Sequence, residues 1–110
     1  MDAATESEAL RMINRAERAI ARDFNAIEEL LKRCLDDVSL GVRRFEGDDA
    51  TQYLSRHDVA SFTANDVFNS VSNLIRRAGD LIEHDANLRT AEAIRDTWVA
   101  AAQLQSDSPS

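Results

Sequence analysis

From Ser7 to Phe45, apolar residues return every three or four positions: Leu10, Ile13, Ala16, Ile20, Phe24, Ile27, Leu31, Cys34, Val38 and Phe45. At about 100° per residue they all fall on one side of a helix. The stripe keeps its register across Asp23 and Asn25, so one long helix is predicted over about 7–45, fraying at Gly41. At about 1.5 Å per residue it would be about 60 Å long.

A connection follows, in which Asp48 or Asp49 would cap a short helical turn over about 49–55. In "TAND", Thr63 stands three residues before Asp66, a capping box with Asp in place of the usual Glu or Gln. It predicts a helix over about 64–84 with Val67, Val71, Leu74, Ile75, Ala78, Leu81 and Ile82 inward. Beyond His84 the same face would carry Asp85, Arg89, Glu92 and Asp96. Burying four unpaired charges is costly. Ala91, Ile94, Trp98, Ala101 and Ala102 meanwhile form a new stripe on nearly the opposite side. The pattern predicts a chain reversal near "HDAN", with Asp85 or Asn87 capping a third helix over about 88–105.

Composition supports helices throughout. There are three glycines and one proline, Pro109 near the end, too little punctuation for strands and tight hairpins. The expected fold is therefore an all-α bundle in a single domain, 1–110, with polar tails at 1–5 and 106–110. Two shorter helices of about 30 Å each, folded back on one another, would leave part of the long one uncovered. A two-fold homodimer is the simplest source of the missing cover.

Charge and chemistry narrow the function. A net charge of −7 disfavours nonspecific contact with nucleic acid or anionic membranes. No basic-then-apolar leader and no membrane-length apolar run is visible, so a cytoplasmic place is expected. Cys34 is the single cysteine and sits within the apolar stripe, which fits a small buried hydrophobe. Asp80 and His84, one turn apart, make only half a metal site, and Gly41, Gly47 and Gly79 are isolated. No metal and no cofactor is expected.

The most specific surface feature is Arg11, Arg15, Arg18 and Arg22. Spacings of four, three and four align the guanidinium groups in one row, opposite the apolar stripe, with few acids in reach. In an acidic chain, such a row suits an acidic partner. Trp98, a large ring among alanines, is a second candidate contact. These features predict a non-enzymatic protein–protein interaction module: a small adaptor, regulator or inhibitor.

Arg77 and His84, with six residues between them, carry an alternative. The pair resembles the arginine-x4–6-histidine motif of HEPN-type ribonucleases, with Ala78 where those proteins often have a polar residue after the arginine. The resemblance implies a dimeric helical bundle in which Arg77 holds phosphate and His84 acts as acid or base.

Overall fold

The computed structural model describes the backbone of residues 3–47 and 54–107 and the side chains of residues 6–47 and 54–105. All of its regular structure is helical, in two elements: α1, Ala3–Glu46, and α2, Arg56–Asp107. The all-α expectation holds. The expected turn at about 49–55 and its caps Asp48 and Asp49 lie largely outside the described residues.

Both helix ends facing the connection are chemically explained. Gly47 closes α1 in the left-handed region (φ 82°), where a side chain would be strained, and its N–H donates to the Arg44 carbonyl at 3.2 Å. At the start of α2, the Asp58 N–H donates to Ser55 Oγ at 3.0 Å. The Ser55 N–H donates back to Asp58 Oδ2 at 3.3 Å. This is a reciprocal capping box, eight residues earlier than the one predicted at Thr63. Thr63 sits instead inside α2.

The chain forms two compact units, Met1–Asp23 with Asp80–Ser110 (unit 1) and Phe24–Gly79 (unit 2). In each, a segment of α1 packs antiparallel against a segment of α2. The seam repeats at four and three residues, the 3.5-residue period of two helices kept in register. In unit 1 it takes Ala9, Ile13, Ala16, Ile20 and Asp23 from α1, and His84, Leu88, Ala91, Arg95 and Trp98 from α2. In unit 2 it takes Ile27, Leu30, Cys34, Asp37, Gly41 and Arg44 against Val59, Thr63, Val67, Ser70, Leu74 and Arg77. All of these residues are buried or half-buried.

This seam corrects two expectations. The separate helices predicted at 64–84 and 88–105 are one uninterrupted helix, and no reversal occurs at "HDAN". The predicted inward face merged two sets of residues one position apart. Asp85, Arg89, Glu92 and Asp96 follow the seam residues His84, Leu88, Ala91 and Arg95 by one, so they flank the seam rather than enter it. Arg89 Nε donates to Asp85 Oδ2 at 3.1 Å in a solvent-facing pair. No burial cost arises, and nothing forces a turn. The length mismatch also disappears, since α2 at 52 residues is longer than α1 at 44.

Gly41 is buried where α1 meets α2. A Cβ there would collide with the Thr63 side chain, approaching Cγ2 to 2.7 Å and Cβ to 3.1 Å. Gly79 has open space around its Cα. Thermal and urea unfolding should therefore separate two like substitutions. Gly79→Ala should stabilise by about 0.5–1 kcal/mol through helix propensity. Gly41→Ala should destabilise by about 1–3 kcal/mol despite the same gain, because the helices must move apart.

Candidate functional site

The most distinctive chemistry lies in unit 1. Asp23 occupies a seam position and is 1% exposed, the largest fully buried side chain among the described residues. Its Oδ2 lies 2.6 Å from Nδ1 of His84, whose side chain is 33% exposed. An ionised carboxylate can only accept, so with Asp23 ionised Nδ1 is the donor of this bond. Small residues make the close approach possible: Ala9, Ala16 and Ala91 on the seam and Ala19 beside it are all buried here.

The same alanines leave a groove of about 370 Å³ beside this pair. Met12, Ala16 and Ala19 line it with Arg15 and Arg22 from α1, and His84, Asn87 and Thr90 from α2. Thr90 is already engaged, its Oγ1 donating to the Ala86 carbonyl at 3.0 Å. Arg11, Asn14, Arg15, Arg18 and Arg22 line an adjoining hollow of about 390 Å³. The predicted arginine row is thus contiguous, but only part of it lies opposite the seam. Arg11 and Arg18 do; Arg15 and Arg22 border the groove. Among the described residues, none of the four guanidinium groups comes within ion-pair distance of a carboxylate.

The other candidates are seam residues. Trp98 is half-buried at a seam position, with its indole Nε1 enclosed, beside a hollow shared with Glu6, Val99, Ala102 and Gln103. Arg77 is half-buried on the seam of unit 2 with its Nε inside. Cys34 is half-buried on that seam too. Among the described residues, no three His, Cys, Asp or Glu side chains gather as a metal set, and no helix is long and apolar enough to cross a membrane. Comparison with family models, with curated proteins and with solved structures returned no match to this chain.

Sequence reasoning missed Asp23. The signal was present: an acid at a seam position in α1, and a histidine at a seam position in α2. Pairing the two requires the continuous α2. A double-mutant cycle on Asp23→Ala and His84→Ala, read by urea unfolding, should give a coupling energy of about 1–3 kcal/mol, as expected for a hydrogen bond to a buried charged group. A value near zero would contradict the pairing.

Proposed function

We propose that this chain is a non-enzymatic interaction module, a small cytoplasmic adaptor, regulator or inhibitor. It takes an acidic protein segment along the arginine row of unit 1 and works as a homodimer built through unit 2. The observation that carries the first part is the row itself. Four adjacent guanidinium groups, two of them bordering a groove with an apolar floor, lack carboxylate partners among the described residues. Like charges one turn apart oppose one another, and an incoming row of carboxylates would relieve that repulsion. Arginine adds bidentate geometry to the charge.

The dimer no longer rests on helix length. It rests on the thinness of unit 2, where Val59, Gly41 and Ser70 are the only fully buried residues among those described. Phe24, Leu31, Leu35, Val38, Val42, Phe45, Phe62, Phe68, Val71 and Ile75 all remain exposed there. Soluble proteins seldom leave apolar patches of that size to water.

The ribonuclease reading keeps one supporting observation: Asp23 holds Nδ1 of His84, leaving Nε2 as an acid or base. It requires RNA cleavage that disappears in His84→Ala, and intact RNA after incubation with the protein removes it.

The main reading is tested with a fluorescent glutamate-rich peptide at low ionic strength. Binding should weaken as salt rises. Arg15→Glu with Arg18→Glu should reduce affinity at least tenfold while the helical circular dichroism stays unchanged. Equal binding by that variant would mean the row is an ordinary solvated face.

A further inference from the structure

In unit 2, each helix carries a second apolar seam displaced by one residue from the first. On α1 it runs Phe24, Leu31, Leu35, Val38, Val42 and Phe45, following Asp23, Leu30, Cys34, Asp37, Gly41 and Arg44, and is interrupted once by Glu28, which follows Ile27 and pairs with Lys32. On α2 it runs Ala64, Phe68, Val71, Ile75 and Ala78, following Thr63, Val67, Ser70, Leu74 and Arg77. One residue turns a helix by about 100°. In an antiparallel pair, that step turns both helices toward the same side. Both second seams therefore share one face, and members of both line one groove. Val38, Val42 and Phe45 meet Ala60, Ala64 and Val67 around a hollow of about 520 Å³. The position preceding each seam residue gives the opposite face, which is more polar: Glu29, Arg33, Asp36 and Arg43 with Asp58, Asp66, Asn69, Asn73 and Arg76, interrupted by Ala26, Leu40 and the exposed Phe62.

The apolar face is uneven in a particular way. At one end it is a groove, because α2 offers only Ala60 and Ala64 there. At the other end it is a ridge of Phe24, Leu31, Leu35, Val71 and Ile75. Leu35 is 67% exposed and Ile75 69%. Between the two stand Val38 and, at the same level of the pair, Phe68, which is 71% exposed.

We propose that this face is covered by the same face of a second copy, with the two-fold axis passing through the level of Val38 and Phe68. The inference rests on the dimer reading above and adds its geometry. A two-fold operation at that level lays ridge into groove twice. On α1, Val38 meets its own counterpart, Leu35 meets Val42 and Leu31 meets Phe45. On α2, Phe68 meets its counterpart, Val71 meets Ala64 and Ile75 meets Ala60. The bulky Phe68 pair stands beside the small Val38 pair, and each large α2 side chain faces an alanine. All neighbouring helices in the resulting four-helix bundle are antiparallel.

Charge and area agree with the same register. Along the outer edge of α1 stand Lys32, Ser39 and Glu46, seven residues apart. The axis that pairs Val38 with itself brings Lys32 toward Glu46, opposite in sign, which fixes register more than affinity. Lys32 has ample freedom to be shared, since its intrahelical pair with Glu28, at 3.1 Å, is solvent-exposed. The glutamates at 28 and 29 hold its amine above the ordinary lysine range. Scaled by exposure, the apolar side chains of the face present on the order of 800 Å² per copy, at about 150–200 Å² for a large side chain. Two copies would remove about 1,600 Å², the size of a standard specific interface.

The test uses the full chain with Cys34→Ser as background and single cysteines added under mild oxidation. Val38→Cys and Phe68→Cys should each give a covalent dimer in high yield. Asn69→Cys, on the polar face, should give little. Sedimentation should show twice the chain mass, falling to one in Ala64→Glu or Ile75→Glu. Lys32→Glu should weaken the dimer several-fold, and adding Glu46→Lys should restore it. A single-chain mass at about 100 µM would overturn both the dimer and its register. A dimer that fails to cross-link at Val38 and Phe68 would overturn the register alone.

Discussion

Two packed helices can bury only one seam between them, and each helix of unit 2 carries two. That constraint governs much of this protein. The first seam is satisfied within the chain; it mixes Ile27, Leu30, Val59, Val67 and Leu74 with small and polar residues such as Gly41, Thr63, Ser70 and Cys34, which permit close approach but supply little apolar burial. The larger apolar side chains are one residue further on and face outward. Hydrophobic stabilisation scales with the apolar area removed from water, so a unit that leaves Phe24, Phe45, Phe62 and Phe68 exposed keeps part of that driving force unused.

In unit 1 the positions one residue beyond the seam are Leu10, Asn14, Glu17 and Ala21 on α1, and Asp85, Arg89, Glu92, Asp96 and Val99 on α2. That side is mostly polar, with Leu10 and Val99 as its exposed apolar residues. The seam itself is apolar and alanine-rich, and it closes around a buried carboxylate held by His84. The opposite side carries Arg15 and Arg22 beside an apolar floor. One helical repeat thus supports two surfaces of different chemistry: a greasy one in unit 2, the face proposed for self-association, and a cationic one in unit 1, the face proposed for an acidic partner.

The sequence made the helical class plain, through its scarcity of glycine and proline and the stripe that crosses Asp23 without losing register. Helix one, predicted over about 7–45, is observed as Ala3–Glu46. The sequence misled at His84. Read alone, Val67, Val71, Leu74, Ile75, Ala78, Leu81 and Ile82 look like one broad inward stripe whose continuation is charged. They are two seams, one of which becomes polar where the other continues through His84, Leu88 and Ala91. A single helix does not reveal which of two neighbouring stripes meets its partner; the register across the pair decides it. The capping box erred for a related reason, since Thr63–Asp66 and Ser55–Asp58 have the same spacing and only the second stands at a helix start. The arginine row was legible because it depends only on periodicity within one helix. The Asp23–His84 pair was not, because its members are 61 residues apart.

The central claim is that the outward apolar seam of unit 2 is covered by a second copy. Amide hydrogen exchange followed across a wide range of protein concentration addresses it directly, since anything that binds only the folded state raises protection by mass action. Protection within residues 24–46 and 56–79 should rise steadily with concentration. Protection that is the same at every concentration would contradict the account.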